Sequence, residues 1–330
     1  MGPLITVPKL LRWTKPAVRV TAALTLALAA GPATTAEPGR SLKARLATRS
    51  LLLAGAAAKG RLVAVGERGH ILLSDDSGRS WRQADVPTTA TLTAVRFHGE
   101  KLGWAVGHDE VILRTRDGGE HWERVRYAPE KEQPLLDVWF QDENRGFAVG
   151  AYGLFLESAN GGATWTERKV TGDDRHLNRI VPSGPERLYL VGEAGKTLRS
   201  DDRGATWKEL PSPYQGSFYG GLHLGGESLM IFGLRGHLYR TEDGGRSWKE
   251  IRTGTDGLLS DAALLPDGRI VVVGTSGAVL VSSDKGLSFA LQQIPDRHGL
   301  SGVLAAPAGT LVALGERGAE TLPLAAAAKP

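Results

Sequence analysis

The stretch GWAVG at residues 103–107, with TRDGGEHW at residues 115–122 behind it, contains the pattern that decides the fold. The first part is an apolar segment that ends in glycine, and variants of it recur along the whole chain. The terminal glycines of these segments are Gly66, Gly107, Gly150, Gly192, Gly233, Gly274 and Gly315. Their spacings are 41, 43, 42, 41, 41 and 41 residues. Seven copies at near-constant spacing indicate seven structural repeats.

The second part is the Asp-box, Ser/Thr-x-Asp-x-Gly-x-x-Trp, which begins eight residues after each of the first six glycines. A short carboxylate accepts backbone N–H groups in a turn, and glycine supplies a positive φ. The aromatic residue then covers the sheet edge with a large apolar body. We therefore interpret these positions as structural. They are Asp76, Asp117, Asn160, Asp202, Asp243 and Asp284, with Trp81, Trp122, Trp165, Trp207, Trp248 and Phe289.

Each repeat contains four strand-like runs, named A to D in chain order. In the second repeat they cover residues 92–97, 102–106, 111–115 and 121–125. Four antiparallel strands at a period of about 40 residues are typical of a β-propeller blade. The sequence therefore predicts an all-β protein, a seven-bladed β-propeller over residues 50–323 with four-stranded antiparallel blades and Asp-box turns in six of them.

The seventh repeat is incomplete, because it has runs at 300–305, 311–314 and 319–322 and lacks an Asp-box. Two ways of completing the ring stay open. Ser41–Ala47, in the N-terminal segment 37–49, could supply the missing outer strand and so fasten the two termini together. Alternatively, the last blade has three strands. The tail at 324–330 is predicted to be disordered.

The N-terminus has the features of a secretory signal peptide over residues 1–36. Lys9, Arg12, Lys15 and Arg19 precede an uncharged run at 20–30, and small residues permit cleavage after Ala36. The sequence thus predicts a periplasmic or extracellular protein; the alternative is an uncleaved anchor. Without cysteine, an exported protein has no disulfides and is stabilised by packing.

Charge and motifs exclude several functions. The whole chain carries 40 Lys/Arg and 36 Asp/Glu, but the basic excess of four lies entirely in residues 1–36. The remainder is neutral, which gives no case for nucleic-acid binding. The eight histidines lack zinc-site spacing, and no Gly-x-Ser-x-Gly elbow is present. We predict no metal, no cofactor and no enzymatic activity.

The variable residues indicate where a partner binds. In a four-stranded blade the B–C turns and D–A links share one face, opposite the uniform Asp-box turns, and this diverse face is the better candidate for a specific site. Asp-Arg-His occurs twice at the entry to strand A and is expected to approach the central channel, with mutual ion pairs as the alternative. The candidate residues are Arg68, Tyr152, Arg175, His176, Tyr214, Tyr219, Arg235, Arg297, His298 and Arg317.

Residues 103–107 with 115–122, and 146–150 with 158–165, resemble the photosystem II stability/assembly factor family over about residues 50–318. The resemblance implies a propeller, expected to be monomeric, that helps a membrane complex to assemble. Its client would be a protein or membrane complex, such as a photosystem-like assembly or an envelope transporter. The alternative is a sialidase-like glycosidase, since Asp-boxes occur there too, with Tyr152, Glu193 and Asp174 in the catalytic roles. Regular Asp-box spacing and the lack of an early Arg-Ile-Pro segment argue against it.

Overall fold

A computed structural model describes residues 39–306 and 309–324. Within them the chain forms seven antiparallel sheets in chain order, six of four strands and the last of three. The prediction of a seven-bladed β-propeller is therefore confirmed. The predicted signal peptide, and the predicted tail from residue 325 onward, lie outside the described residues.

The strands follow one another from the channel outward in every blade. The innermost strands are β1 (Leu52–Ala58), β5 (Leu92–His98), β9 (Leu135–Phe140), β13 (Leu177–Ser183), β17 (Phe218–Gly225), β21 (Leu259–Leu264) and β25 (Leu300–Ala305). The second strands are β2 (Arg61–Gly66), β6 (Leu102–Gly107), β10 (Gly146–Gly150), β14 (Arg187–Gly192), β18 (Ser228–Gly233), β22 (Ile270–Gly274) and β26 (Leu311–Gly315).

The outer half of each blade is shorter. The third strands are β3 (Ile71–Ser74), β7 (Ile112–Thr115), β11 (Phe155–Ser158), β15 (Thr197–Ser200), β19 (Leu238–Thr241), β23 (Ala278–Ser282) and β27 (Gly318–Thr321). The outermost strands are β4 (Arg82–Gln83), β8 (Glu123–Arg126), β12 (Thr166–Glu167), β16 (Lys208–Glu209), β20 (Lys249–Ile251) and β24 (Ala290–Gln293). The first six second-to-third-strand turns each contain a short 3₁₀ turn.

A close backbone approach explains the glycine that ends each second strand. A Cβ on Gly107 would lie 2.0 Å from the carbonyl oxygen of Thr91, at the entry to β5. The same oxygen accepts the N–H of His108 at 2.9 Å, so it cannot move away. Gly66 and Gly233 meet the entering chain of their own blades in the same way. The sequence period is thus set by a steric requirement.

The Asp-box turn satisfies its own polar groups. In the first blade, Ser74 Oγ accepts the N–H of Gly78 at 2.8 Å and donates to Asp76 Oδ1 at 2.8 Å. Asp76 Oδ1 also accepts the N–H of Ser80 at 2.8 Å. The indole N–H of Trp81 donates to the Gly78 carbonyl at 3.1 Å, which fixes the ring against the turn. Gly78 has φ 85°, a value that glycine adopts without strain.

These hydrogen bonds predict a loss of stability in acid. Hydrogen bonds from the turn lower the pKa of Asp76, Asp202 and Asp284 to about 2. In Asp284 the largest single effect is burial, which raises the pKa, but the hydrogen bonds together outweigh it. In the unfolded chain an aspartate has a pKa of about 3.9, so each of these carboxylates stabilises the fold at pH values above about 3.9. That stabilisation is lost as the pH falls towards 2. We expect the triple Asp→Asn variant at these positions to lose less stability than wild type between about pH 4 and pH 2 in urea unfolding. An equal decline in both proteins would contradict the assignment.

Asparagine is a suitable replacement because the chain already uses it in the third blade. Asn160 Oδ1 accepts the N–H of Thr164 at 3.0 Å, and its Nδ2 donates to Thr164 Oγ1 at 2.9 Å. The turn therefore keeps its geometry without a charge.

The core lies between neighbouring blades, where apolar residues of adjacent sheets interlock. Trp104 of β6 is fully buried and stacks on Phe140 of β9, with ring centroids 3.4 Å apart. The same packing closes the ring, since Leu52 and Leu62 of the first blade pack with Leu314 of the last. The Ser301 hydroxyl also donates to the Leu52 carbonyl across this junction. The ring is therefore closed by contacts between the first and last blades like those between other neighbouring blades. The two ends of the described chain do not share a sheet.

The interpretation of Ser41–Ala47 as the outer strand of the last blade is wrong. The N–H of Ser41 donates to the Val86 carbonyl at 2.9 Å, and that of Ala44 donates to Gln83 Oε1 at 2.9 Å. Both acceptors belong to the first blade, whose short outer strand leaves the Gln83 amide available to this segment. The Thr48 carbonyl then passes over Gly318, where a Cβ would lie 1.9 Å away. The segment thus replaces the D–A link of the last blade and forms no strand.

Candidate functional site

The turns between second and third strands lie on the same face of the propeller as the D–A links, and we call it the link face. The middle residue of each of the first six turns is a non-glycine residue in the left-handed region, with φ between 48° and 59°, and in the second turn the next residue, Glu110, is left-handed too. Four of these middle residues are exposed: Arg68, Tyr152, Arg235 and Ser276. The other two, Asp109 and Ala194, are half-buried. The turn accepts several residue types, so its geometry does not require arginine or tyrosine.

The first Asp-Arg-His sequence contacts the neighbouring turns. The ring of His176 lies edge-on to Tyr152, with centroids 5.1 Å apart, and its backbone N–H donates to Glu193 Oε2 at 3.1 Å. Arg175 Nε lies 3.8 Å from Asp173 Oδ2. Asp173 also accepts from Lys196 Nζ at 2.8 Å, which holds the pKa of that carboxyl below its usual range. The structure thus brings Tyr152, Arg175 and His176 together on one part of the link face.

The second Asp-Arg-His sequence has a different environment. The His298 side chain is 8% exposed and lies between Asp296 Oδ1, 2.8 Å from Nδ1, and Glu320 Oε1, 2.6 Å from Nε2. Arg317 pairs with the other oxygen of Asp296. The expectation that both copies approach the channel is therefore wrong for His298, which bridges two carboxylates. Arg297 is exposed, at φ 53°.

The two remaining candidate tyrosines differ in their surroundings: Tyr214 packs in the core, and Tyr219 is exposed. Tyr214 lies against His237, with centroids 4.2 Å apart, and meets Phe218 edge-on at 6.0 Å. It is therefore part of the core between the fourth and fifth blades. Tyr219 remains 37% exposed and lines the central channel.

A cavity of about 360 Å³ occupies the channel below the link face. Each innermost strand has a register shift, a β-bulge, at its second residue. Bulges redirect side chains, and all seven bulged residues line this cavity. We call them the collar: Leu53, Thr93, Leu136, Asn178, Tyr219, Ser260 and Ser301. Some also connect blades, since Thr93 donates to the Leu135 carbonyl at 2.6 Å and Asn178 to the Phe218 carbonyl at 2.8 Å.

Four charged residues of the innermost strands surround the channel, and the sequence analysis missed them. Arg179 donates to Asp261 Oδ1 at 2.7 Å and lies 3.8 Å from Asp137 Oδ1. Asp137 is fully buried and accepts the N–H of Ile180 at 3.0 Å. Arg96 Nε lies 3.7 Å from Asp137 Oδ1, beyond hydrogen-bond distance. An alignment of the seven repeats on the glycine that ends each second strand would have found these residues. At the equivalent positions, the other blades carry apolar or small residues.

Among residues 39–306 and 309–324, no three His, Asp or Glu side chains are grouped so that they could hold a metal ion. The same part of the chain contains no helix of the length and apolarity needed to cross a membrane.

Comparison with known proteins gives the family. The sequence profile described as "Photosynthesis system II assembly factor YCF48" matches residues 72–133 and 127–289. The photosystem II assembly protein Ycf48 of Synechococcus sp. (strain JA-2-3B'a(2-13)) is 36% identical over 134 residues, which are 38% of this chain and 39% of that protein. The match thus spans about two fifths of the relative's length.

Two solved structures agree on the fold. The structure described as YCF48 bound to D1 peptide has a TM-score of 0.67 at 18% identity and covers 84% of this chain and 94% of its own. Streptogramin B lyase has a TM-score of 0.71 at 12% identity, covering 84% and 94%. These two proteins share the fold, so the fold alone does not indicate a function. Because the sequence profile matches well over half of the residues, the chain belongs to the family of photosystem II assembly factors typified by YCF48.

Proposed function

We propose that the protein is a non-enzymatic, monomeric assembly factor that binds a protein or membrane-complex client outside the cytoplasm through its link face. Family membership supports the class of function, and the solved YCF48 with a D1 peptide is a relative that binds a protein segment. The observation that carries the proposal is the pair of exposed arginines, Arg68 and Arg235, at left-handed turn positions. Within the described part of the chain neither side chain has an ion-pair partner.

The chemistry of these residues suits recognition of a polypeptide. A guanidinium binds carboxylates with two hydrogen bonds, and Arg and Tyr are enriched among residues that dominate interface affinity. Tyr152, 56% exposed, presents an aromatic surface between Arg68 and Arg235 in the order of blades. Arg297 adds positive charge to the same face, whereas Arg175 and Arg317 lie beside the carboxylates of Asp173 and Asp296. The client surface is expected to carry acidic groups beside apolar ones.

Affinity capture from solubilised membranes tests the link face. We expect the Arg68→Ala/Arg235→Ala variant to recover at least about tenfold less of a specific membrane protein than wild type, because charged hydrogen bonds are lost. The Arg175→Ala/Arg297→Ala variant is expected to act in the same direction. The matched control is Arg79→Ala/Arg116→Ala, which removes two exposed arginines from the Asp-box turns. Equal recovery with all variants would contradict the proposal.

Export is proposed from the N-terminal sequence, and it has its own test. We expect protein from the periplasmic fraction to begin near Glu37, because the short apolar run suits cleavage after Ala36. N-terminal sequencing decides the question. An intact Met1 in cytosolic protein would refute both cleavage and export.

The glycosidase alternative gives opposite results in an activity assay. The Glu193 carboxylate already accepts the backbone N–H of His176, so it holds a link in place. We expect no turnover of a sialoside. Turnover that is abolished by Tyr152→Phe or Glu193→Gln would replace the assembly function with an enzymatic one.

A further inference from the structure

We propose that the collar and the charged residues beneath it form a binding site for a small organic anion with an apolar body, such as an aromatic carboxylate. The site is the channel cavity of about 360 Å³, within the size range of small-molecule pockets. It is separate from the exposed arginines of the link face, and it does not depend on a protein client.

Arg96, Arg179 and Asp261 line the cavity, whereas Asp137 is fully buried. Asp137 Oδ2 accepts a backbone N–H, and its Oδ1 has no hydrogen bond and lies 3.7 Å from Arg96 and 3.8 Å from Arg179. Asp261 accepts from Arg179 and from the N–H of Val303 at 3.1 Å, so both of its oxygens are occupied. Among the residues that the structure describes, Arg96 has only the 3.7 Å approach to Asp137, and its side chain is 38% exposed. Arg96 therefore retains hydrogen-bond donors that can bind an anion.

The fold does not require an arginine at this position. In each blade, one residue of the innermost strand pairs with the third residue before the glycine that ends the second strand. In the second blade this residue is Arg96, and in the other six blades it is apolar. The equivalent residues are Ala56, Trp139, Val181, Leu222, Ala263 and Leu304. Arg96 alone is charged there, opposite Trp104. A charge placed where packing favours apolar groups indicates a role in binding.

The wall of the cavity suits an apolar body. Leu53, Leu136 and Tyr219 of the collar contribute apolar surface, and Val95 lies beside Arg96. A few convergent polar groups within an apolar lining is the usual composition of a small-molecule site. A monoanion with one ring would place its charged end at Arg96 and its ring within the collar.

Fluorescence of 1-anilinonaphthalene-8-sulfonate, an aromatic monoanion, tests the site on the folded protein. We expect saturable binding of one probe per chain, displaced by benzoate and not by the neutral benzyl alcohol. Arg96→Gln is expected to weaken probe binding by about tenfold or more, as for loss of a charged hydrogen bond. Arg79→Gln, on the Asp-box turns, is the matched control and is expected to leave the affinity unchanged.

A second variant keeps the test decisive if Arg96→Gln disturbs folding. Ser260→Glu introduces a negative charge into the collar and is expected to abolish binding while the unfolding midpoint stays near that of wild type. Leu42 is 80% exposed at the N-terminal segment, so Leu42→Ser checks for binding to apolar surface elsewhere. Absence of saturable binding, equal displacement by benzyl alcohol, loss of binding in Leu42→Ser, or unchanged affinity in folded Arg96→Gln or Ser260→Glu would each overturn the proposal.

Discussion

Replacement of Gly107 by alanine is expected to destabilise the protein by about 3 kcal/mol or more, the upper range for inserting atoms into a packed region. The new Cβ would stand 2.0 Å from the carbonyl oxygen of Thr91 and 2.8 Å from the Cα of Leu92. Both are backbone atoms, so no side-chain rotation relieves the contact. With φ at −177° the backbone itself is comfortable for alanine, and the effect is purely steric. Urea unfolding of the purified variant measures it.

Gly172 provides the matched control for this substitution. It is exposed, and a Cβ built on it meets no atom within 4 Å. Gly172→Ala is therefore expected to change stability by no more than about 1 kcal/mol, with a gain possible because alanine restricts the unfolded chain. If Gly107→Ala also cost less than about 1 kcal/mol, the close approach would not be what fixes the repeat.

The sequence sufficed for the fold because each blade repeats a requirement that admits few residues. The glycine at the end of the second strand is needed wherever the entering chain crosses it, as at Gly107 and Thr91. The Asp-box hydroxyl, carboxylate and glycine satisfy one another within five residues, as Ser74, Asp76 and Gly78 do. Requirements that are local in sequence and recur in six blades (the Asp-box) or in all seven (the glycine) are visible without any structure.

Contacts between distant residues were harder to predict. The Ser41–Ala47 segment has strand-like composition, but its hydrogen bonds depend on the side chain of Gln83, about 40 residues away. His298 resembles His176 in local sequence, yet Glu320 on β27 encloses only the former. The channel arginines Arg96 and Arg179 occur in different blades and share one carboxylate, Asp137. Such juxtapositions come from the ring geometry, which single-repeat patterns do not contain.

Trp122 shows how the Asp-box stabilises the contact between two blades. The side chain is 7% exposed, and its indole N–H donates to the Gly119 carbonyl at 2.9 Å. Its ring meets Phe97 edge-on, with centroids 6.2 Å apart. The cluster around it combines residues of the first two blades, among them Leu73 and Val95. Truncation would therefore open a cavity at the interface between the blades and remove one polar contact.

We expect Trp122→Ala to lower the free energy of unfolding by about 3–5 kcal/mol, the range for truncating a buried aromatic side chain. Tyr152→Ala is the control, because this aromatic residue is 56% exposed, and its loss is expected to cost less than about 1 kcal/mol. Urea unfolding followed by circular dichroism compares the two variants under the same conditions. Both substitutions remove an aromatic side chain, so the difference between the two losses of stability measures the effect of burial. A cost for Trp122→Ala no greater than that for Tyr152→Ala would mean that the Asp-box aromatic residue does not hold neighbouring blades together.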